Sequence, residues 1–372
     1  MRVAVVSHDT FWPLRGGGGI RVYWVTKSFI KRKYDVSVIA PILHQYGLKK
    51  EFDPIHIMAI GKWTRFARFK EIVYIFMMMR MLIRLLSQKY DIIYAHNAVA
   101  GLPSVLIGKL MGIPVIYDMD DLLTGYSRNR FVYHFGSVIE KVIAQWSDVT
   151  IVVSKSAKKW CTQHGIDRTE IVRHGVDLRL FYPKNQERKY ITFTGGMEVN
   201  DGLLLIPLAA QDILKEFPDV VFMFVGDGKD INRLIQLVEN LHLTRHFIFH
   251  RWMDHIKIPN ILARSKIGLI TSLKVSATEF SSPLRSYEYM ASELPFVAPD
   301  LEGILEQVEE SGAGIIFNNG NAKDLARAVL KLLHDDELCK TLGRNGRSYV
   351  TQYGDWMKNA DKICEVSEAF VN

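Results

Sequence analysis

Short apolar runs alternate with longer amphipathic stretches along most of this 372-residue chain. Runs of this kind predict strands, and the stretches between them have the spacing of helices. In the first half the runs are VAVVS, VSVIA, IIYAH, PVIYD and VTIVVS, and in the second half YITFTG, VVFMFVG, FIFH, IGLIT, PFVAP and GIIF. They contain few polar positions, which is typical of parallel strands covered by helices on both faces. The pattern predicts the α/β fold class, with two doubly wound, Rossmann-like domains.

A polar segment separates the two halves. The stretch VDLRLFYPKNQERKY combines a proline with charged and polar residues, which predicts a linker near residues 180–190. We therefore place the first domain at residues 1–185 and the second at residues 186–350. Ligands of such sheets bind at the carboxyl ends of the strands, where the strand order reverses. Two such sheets in one chain predict a central cleft that both domains face.

Composition and charge narrow the class of protein. With 48% hydrophobic and 23% charged residues, the chain is typical of a packed globular protein rather than a disordered one. Lys plus Arg number 47 against 40 for Asp plus Glu, and the net charge of +7 favours anionic partners such as nucleotides or phospholipid surfaces. Cys161, Cys339 and Cys364 lie far apart, which argues against a disulfide framework or a zinc site and fits a reducing cytoplasm.

Neither an export signal nor a membrane-spanning segment is indicated by the hydrophobic stretches. The opening MRVAVVSHDTFW has too short an apolar run for a signal peptide. The longest apolar stretch, residues 72–86, contains Arg80 and Arg84 and is shorter than the roughly 20 residues needed to cross a bilayer. We expect a soluble or peripheral protein.

A basic amphipathic segment spans residues 62–90, KWTRFARFKEIVYIFMMMRMLIRLLSQKY. In its first part cations alternate with aromatic residues: Lys62, Arg65, Arg68 and Lys70 with Trp63, Phe66 and Phe69. Such a segment is predicted to lie in the interface of an anionic membrane. The alternative is a helix that covers the sheet and whose Met residues fill the core.

Four consecutive glycines, Gly16 to Gly19, lie between the first strand and a predicted helix that starts near Ile20. A dinucleotide fingerprint would follow the strand directly, whereas here the strand ends near Ser7 and the loop SHDTFWPLR intervenes, so an oxidoreductase is disfavoured. A glycine turn that opens a helix suits a phosphate or carboxylate that approaches the backbone closely. The alternative is a loop tip without a ligand.

A series of motifs in the second half carries a family resemblance. In order they are FTGG (193–196), FVGDG (224–228), FHRWM (249–253), EFSSPLRSYEYMASELPFVAP (279–299) and GAGIIFNNGNAKDLARAVLKLL (312–333). In the first half the corresponding segments are DIIYAHN, GIPVIYDMDD, DVTIVVSKSAKKW and IVRHGVDLRLFYP. Over nearly its whole length the chain resembles the retaining, nucleotide-sugar-dependent glycosyltransferases of family four. Several motifs in the right order are more specific than any one of them.

The resemblance implies the GT-B architecture and a division of roles. The first domain would bind the acceptor, the second would bind a nucleotide diphosphate sugar, and a helix within residues 351–372 would pack back on the first domain. Transfer of the sugar to a glycan or lipid-linked acceptor would retain the anomeric configuration. The nucleotide sugar would be a substrate, and no cofactor or metal ion would take part. A cytoplasmic enzyme of polysaccharide synthesis, peripheral on the inner face of the membrane, is the expected setting.

The stretch at 279–299 supplies most of the predicted donor-binding residues. Glu288, in the context EYMA, resembles the family's second signature glutamate, and its carboxylate could accept both ribose hydroxyls. The first signature glutamate would fall on Phe280, and Glu279 is one residue out of register. Pro283 and Arg285 match a variant family pattern, in which Arg285 could bind the diphosphate and stabilise the charge that develops on it. The alternatives are a helix-start glutamate for Glu288 and a solvated arginine for Arg285.

Other positions depart from the family pattern. The segment GGMEVNDG places Gly196 and Asp201 where an Arg and a Lys usually clamp the diphosphate. A carboxylate at Asp201 would repel phosphate unless a cation intervenes. Arg251, where a glycine is common, could restore positive charge to the donor site. Asp120, in YDMDD, replaces a histidine that faces the donor sugar, so we assign it a catalytic role.

The tripeptide DMD at 118–120 also resembles a metal-binding DxD motif. Because it follows a strand of the first domain, away from the donor half, we assign Asp118 and Asp120, together with His8, to the acceptor. The alternative is a capped strand end with solvated carboxylates.

Two other hypotheses remain beside the glycosyltransferase. The substitutions at the clamp and catalytic positions motivate a non-catalytic GT-B protein that binds a nucleotide or glycan and supports another transferase. Within the enzymes, a nucleotide-sugar epimerase is the next candidate. Nucleic acid is not an expected partner.

Overall fold

The computed structural model describes residues 1–14, 16–42, 55–60, 70–122, 125 and 130–371. These residues form two compact units. The N-terminal unit comprises Met1–Arg173 and Trp356–Asn372, and the C-terminal unit comprises His174–Asp355. Part of the predicted membrane segment lies outside the described residues, namely Lys62, Trp63, Arg65, Phe66, Arg68, Phe69 and the side chain of Lys70.

Strands and helices alternate in the N-terminal unit. In order, the elements are β1 (Arg2–Ser7), α1 (Gly17–Lys31), β2 (Asp35–Ala40), β3 (His56–Ala59), α2 (Lys70–Leu86), β4 (Ile92–His96), α3 (Asn97–Met111), β5 (Val115–Met119), α4 (Arg130–Trp146), β6 (Val149–Val152), α5 (Lys155–Gln163) and β7 (Thr169–Ile171). The last helix of the chain, α14 (Trp356–Glu368), also belongs to this unit.

The strands of this unit form one parallel sheet. Its order within the described residues is β3-β2-β1-β4-β5-β6-β7. The interior strands are buried almost throughout, as β4 and β5 illustrate, because helices cover both faces. The strand order reverses between β1 and β4, so the carboxyl ends of these strands form the edge where such sheets bind ligands.

Helix α14 packs against α1 through polar contacts. Arg32 forms ion pairs with Glu368 (2.7 Å) and Glu365 (3.2 Å), and Lys31 forms one with Asp361 (3.1 Å). Tyr34 also donates a hydrogen bond to Glu368. Between these polar contacts, Trp356, Ala360, Ile363 and Cys364 of α14 are buried. The end of the chain thereby completes the N-terminal unit.

A second alternation builds the C-terminal unit. Its elements are β8 (Tyr190–Thr194), α6 (Leu205–Glu216), β9 (Val221–Val225), α7 (Ile231–Asn240), β10 (Phe247–His250), α8 (Ile258–Leu262), β11 (Ser265–Leu269), α9 (Ser276–Glu279), α10 (Leu284–Ala291), β12 (Phe296–Pro299), α11 (Glu302–Ser311), β13 (Gly314–Phe317), α12 (Ala322–His334) and α13 (Asp336–Tyr353). The sheet is parallel, in the order β10-β9-β8-β11-β12-β13. Its order reverses between β8 and β11.

The predicted linker at residues 180–190 is wrong as a domain boundary. The two units divide between Arg173 and His174, so the whole of that stretch is part of the C-terminal unit. Phe181 is fully buried in the core of that unit, and the backbone of Val176 pairs with that of Asp355. The charged residues around Pro183 gave this stretch the pattern of an exposed linker, so the sequence did not indicate that Phe181 is buried.

Two sequence predictions about the whole chain can be compared with the described residues. Cys161, Cys339 and Cys364 are all buried free thiols. None of the helices in the described ranges is both long enough and apolar enough to cross a membrane.

Candidate functional site

The carboxyl edge of the N-terminal sheet brings together a cluster of charged residues. The register aligns Ser7, His96 and Asp118 across β1, β4 and β5. His8 and Asp9 follow β1 directly, and Asp120 follows β5. We call Asp9, His96, Asp118 and Asp120 the edge cluster.

Asp118 is held inside the protein by Arg21 of α1. The guanidinium donates from Nε to Oδ2 (2.6 Å) and from Nη2 to Oδ1 (3.0 Å), and Tyr94 donates a further hydrogen bond to Oδ2. Both Arg21 and Asp118 are fully buried, and Arg21 also donates to the carbonyl of Val172 (3.1 Å). The prediction that Asp118 binds the acceptor is therefore wrong, because both oxygens are occupied by internal donors and neither is exposed. Asp118 instead connects α1 to the sheet through its ion pair with Arg21.

His96 lies among the three carboxylates of the edge cluster. Its Nε2 is 3.3 Å from Asp9 Oδ2 and 3.8 Å from Asp120 Oδ2, and its Nδ1 is 3.6 Å from Asp118 Oδ2. Burial alone would lower the pKa of His96, but hydrogen bonds and the charges of the carboxylates outweigh it and raise the pKa to about 10. An imidazolium at this position offsets part of the negative charge that Asp9 and Asp120 bring to the edge.

His8 and Asp120 remain candidates for acceptor binding. Within the described residues the buried Nδ1 of His8 has no hydrogen-bond partner, and it lies 3.9 Å from Asp9 Oδ2. Burial lowers the pKa of His8, so the ring is neutral near pH 7. The side chain of Asp120 is 7% exposed, whereas that of Asp9 is 29% exposed. Sequence reasoning missed Asp9 and His96, although both stand directly at the carboxyl end of a strand.

The glycine run opens α1 and makes room for the edge cluster. Gly16 is the N-cap residue with φ +80°, a conformation that favours glycine. A Cβ on Gly18 would overlap the Asp9 carboxylate and would lie 2.7 Å from His96 Nε2, and one on Gly19 would lie 2.7 Å from the carbonyl oxygen of Thr10. The chain's own atoms therefore require glycine at 18 and 19. A donor-binding role for the run, Gly17 included, stays a prediction.

We expect Gly18→Ala to destabilise the protein by about 1–3 kcal/mol, because the added methyl group overlaps the Asp9 carboxylate and crowds the buried ring of His96. Urea unfolding of the purified variant measures this free energy. Lys31→Ala, on the exposed end of the same helix, is the control and should change stability by less than about 1 kcal/mol. Equal stability of Gly18→Ala and the wild-type protein would show that the edge cluster is not held as the structure has it.

At the carboxyl edge of the C-terminal sheet, turns after β8 and β9 approach each other through glycines. Gly195 donates to the carbonyl of Val225 (2.9 Å) and has φ +121°. A Cβ on Gly226 or Gly228 would collide with the carbonyl oxygen of Gly195 or Met197, respectively. Gly196 has open space around it, the nearest atom to a Cβ there being Asp201 Oδ2 at 3.8 Å. The backbone beside Gly196 is therefore accessible to a ligand at this edge of the sheet.

Arg285, in the first turn of α10, places its guanidinium at this edge. It lies over the ring of Phe193 (4.3 Å to the centroid), and its Nη2 donates to Asp201 Oδ1 (3.1 Å). A Cβ on Gly195 would lie 3.0 Å from Nη2, so glycine there permits the approach. Within the described residues, the buried Nη1 has no hydrogen-bond acceptor. A buried guanidinium N–H without an acceptor is unfavourable, and an anion at this position would satisfy it.

Asp201, which the sequence predicted to repel phosphate unless a cation intervenes, has such a cation in Arg285. Besides the ion pair with Arg285, its Oδ2 accepts a hydrogen bond from the backbone N–H of Glu198 (2.9 Å). Burial raises the pKa of Asp201, and this effect outweighs the opposing attraction of Arg285. The negative charge of Asp201 is therefore largely offset by the positive charge of Arg285.

Glu288, one turn further along α10, is paired with His255. Its Oε1 lies 2.6 Å from His255 Nε2, and its side chain is 12% exposed. Burial acts to lower the pKa of His255, but the charge and hydrogen bond of Glu288 outweigh it, and the net pKa is raised. The ring of Phe181 packs beside His255 at 5.1 Å. One carboxylate oxygen of Glu288 is therefore engaged internally, and the sequence offered no signal for the histidine partner.

The remaining predicted donor-binding residues lie in the same unit. Arg251 is largely exposed and contacts Asp227 (3.4 Å) and Asn232 (3.3 Å). Glu279, at the end of α9, forms an ion pair with Lys274 (3.0 Å). Pro283 is the N-cap residue of α10. Among the described residues of the chain, no group of three or more His, Cys, Asp or Glu side chains could hold a metal ion.

Two family models match the chain. The model described as Glycosyltransferase Family 4 matches residues 15–180, and the model described as Glycosyl transferases group 1 matches residues 178–349. The chain belongs to the family-four glycosyltransferases. It is a glycosyltransferase of GT-B type that uses nucleotide sugars.

Relatives agree with the family assignment, and solved structures share the fold. The UDP-Gal:alpha-D-GlcNAc-diphosphoundecaprenol alpha-1,3-galactosyltransferase of Escherichia coli is 23% identical over 297 residues, which cover 74% of this chain and 75% of that protein. Sucrose-phosphate synthase of Thermosynechococcus elongatus has a TM-score of 0.85 at 17% identity, over 99% of this chain and 98% of that one. HepE of Anabaena in complex with UDP-glucose has a TM-score of 0.80 at 17% identity, over 99% and 100%. The predicted GT-B fold of two Rossmann-like domains is confirmed.

Proposed function

We propose that the C-terminal unit of this glycosyltransferase binds the nucleotide diphosphate of its donor through Arg285 and Glu288. The observation that carries the proposal is the buried Nη1 of Arg285, which has no acceptor within the described residues and lies at the glycine-rich edge of the sheet. A diphosphate oxygen supplies the missing acceptor. Glu288, three residues further along the same helix, offers Oε2 to a ribose hydroxyl while Oε1 stays with His255.

The reaction that we propose is transfer with retention of the anomeric configuration. A hydroxyl oxygen of the acceptor forms the new bond to the anomeric carbon, and the bond from that carbon to the diphosphate breaks. Its electron pair stays on the diphosphate, and the proton of the hydroxyl passes to the same leaving group. Arg285 stabilises the charge that grows on the diphosphate, together with backbone N–H groups of the glycine-rich turns. Retention rests on the family resemblance.

The N-terminal unit is the proposed acceptor-binding half. His8 and Asp120 lie at the carboxyl edge of its sheet, and Asp9 is the most exposed carboxylate of the edge cluster. Carboxylates accept hydrogen bonds from sugar hydroxyls. The name of the Escherichia coli relative gives its acceptor as a sugar on diphosphoundecaprenol. A glycan or lipid-linked acceptor is therefore proposed for this chain.

Three neighbouring helices of the N-terminal unit carry the proposed membrane surface. Helices α2, α3 and α4 pack side by side and expose large apolar side chains, namely Ile75, Phe76, Met79, Ile83 and Leu86, then Leu106, Leu110 and Met111, then Phe135 and Val138. An exposed apolar surface of this kind marks an interaction site. The exposed cations Arg80, Arg84 and Lys109 accompany it, whereas the carboxylate of Glu140 is buried. This charge favours an anionic bilayer, which would hold the enzyme peripherally beside a lipid-linked acceptor.

Replacing Arg84 and Lys109 by Gln is expected to weaken binding to anionic phospholipid vesicles by roughly 1 kcal/mol per charge. Sedimentation with vesicles measures the partition, and donor hydrolysis should be unchanged. The matched control replaces Lys215 and Lys340, two exposed lysines of the C-terminal unit, by Gln. An equal loss in the control, or no vesicle binding by the wild-type protein, would contradict the membrane surface.

Hydrolysis of nucleotide sugars tests the proposed function itself. The purified protein is incubated with UDP-, GDP-, ADP- and CDP-sugars without acceptor, and proton NMR follows the anomeric signal of the released sugar before mutarotation. We expect slow hydrolysis of one class of donor, with the sugar released in the donor's anomeric configuration. Release of the opposite anomer would contradict retention.

One observation favours the alternative of a non-catalytic binding partner. Asp201 already neutralises part of the charge on Arg285, which lowers the capacity of the site to stabilise a leaving diphosphate. Such a protein would bind a nucleoside diphosphate and hydrolyse no donor. The hydrolysis assay and a binding titration on the same sample separate the two functions.

A further inference from the structure

Asp201 stands where the proposed diphosphate must bind. Its carboxylate and the guanidinium of Arg285 are 3.1 Å apart, and the other carboxylate oxygen lies 3.8 Å from the position of a Cβ on Gly196. Gly196 borders the open backbone of the glycine-rich edge. An anion that reaches Arg285 there meets the Asp201 carboxylate at close range.

The backbone around Asp201 keeps this carboxylate in place. Oδ2 accepts from the N–H of Glu198, and Thr271 donates its hydroxyl to the Asp201 carbonyl (2.6 Å). The next residue, Gly202, has φ +65°, and a Cβ on it would collide with the carbonyl oxygen of Thr271. Asp201 therefore cannot move away from an incoming diphosphate without breaking several contacts. Protonation of its carboxylate costs less free energy than such a movement.

The charges near Asp201 determine whether its carboxyl group is protonated when a diphosphate binds. Arg285 is its cationic neighbour, and the carboxylate of Glu198 is a second negative charge nearby. Burial holds the pKa of Asp201 above its ordinary value even while Arg285 is paired with it. A bound diphosphate both takes hydrogen bonds from Arg285 and adds negative charge, and each effect favours the neutral form of the carboxyl group.

We propose that Asp201 competes with the diphosphate for Arg285, and that it takes up one proton from solvent when a nucleoside diphosphate binds and returns it on release. This inference rests on the proposed function, because it assumes that Arg285 binds the diphosphate. Asp201 thereby sets the affinity of the donor site. It lowers the affinity for the nucleoside diphosphate product at neutral pH and so promotes release of that product.

The sign of the pH dependence follows from the proton balance. Because the complex holds one proton more than the separate partners, binding tightens as pH falls and weakens as pH rises through the range above the raised pKa of free Asp201. The dissociation constant should rise by up to about tenfold per pH unit in that range. His255, whose pKa is also raised, adds its own dependence through Glu288. Asp201→Asn separates the two contributions, because it leaves the His255 pair intact.

Titration calorimetry tests the proposal. UDP, GDP, ADP and CDP are titrated singly into the wild-type protein and Asp201→Asn, each in two buffers of different ionisation enthalpy at the same pH. The difference in heat between the buffers counts the protons taken up. Asp212→Asn, which removes an exposed carboxylate of the same unit, is the matched control.

We expect the wild-type protein and the control to take up close to one proton per nucleotide, and Asp201→Asn close to none beyond the share of His255. At pH 8 Asp201→Asn should bind at least about tenfold more tightly than the wild-type protein. Equal proton uptake by all three proteins would overturn the inference and leave the proposed function standing. If Asp201→Asn does not fold, the wild-type measurement is sufficient on its own. A nucleotide that binds to the wild-type protein without proton uptake also overturns the inference. Failure of every nucleotide to bind would overturn both.

Discussion

Arg285→Ala is expected to reduce sugar transfer by about 10²–10³-fold, the usual cost of removing one group that stabilises a developing anion. The guanidinium lies over Phe193 and against Gly195, so its position is set before the donor arrives. Removing it takes away a buried donor that has no acceptor within the described residues. It also leaves Asp201 unpaired, which adds repulsion toward the diphosphate. Single-turnover transfer, or donor hydrolysis, measures the loss.

Two further variants define the origin of that loss. Arg285→Lys keeps the charge but loses the planar fork, so we expect an intermediate rate. Arg327→Ala removes an exposed arginine of the same unit and should leave the rate unchanged. If Arg285→Ala transferred sugar at the wild-type rate, Arg285 would be a solvated helix residue, as the alternative interpretation of the sequence holds.

Glu288→Gln has the second large expected effect, a loss of about 1.5–3 kcal/mol in nucleotide affinity, the range for hydrogen bonds to charged groups. The amide keeps the shape of the side chain but lacks the charge that the ribose hydroxyl and His255 both use. Titration calorimetry with the nucleoside diphosphate and its 2′,3′-dideoxy analogue separates these effects. The affinity for the dideoxy analogue should change much less, because it offers no hydroxyl.

The control for this variant is Glu337→Gln, which removes an exposed carboxylate from α13 and should bind both ligands as the wild-type protein does. An equal loss of affinity for the ribonucleotide and the dideoxy analogue would mean that Glu288 acts through His255 and not on the ribose. Unchanged affinity for both would remove Glu288 from the site.

Much of the architecture could be predicted from local pattern. Runs such as VAVVS and YITFTG are interior parallel strands, and continuous hydrophobicity indicates that environment before any contact is known. The domain boundary could not be placed in the same way. Phe181 is buried in the C-terminal unit although charged residues follow it, and only packing reveals which core receives it.

The partners of the site residues were beyond sequence reasoning for a related reason. Arg21 and Asp118 are 97 residues apart, Asp201 and Arg285 are 84 apart, and His255 and Glu288 are 33 apart. Each pair is created by the meeting of separate elements at a sheet edge. The motifs predicted that Arg285 and Glu288 face a ligand, but the charge already present around each of them depends on residues that no motif contains.

Hydrogen–deuterium exchange with and without a nucleoside diphosphate tests the central claim most directly, because it locates the bound nucleotide without any substitution. We predict slower exchange at residues 193–202 and 284–290, the turn after β8 and the helix that carries Arg285 and Glu288. Saturating UDP, GDP, ADP or CDP is the ligand, and a nucleoside without phosphate is the control. Binding that leaves exchange in both segments unchanged would contradict the account.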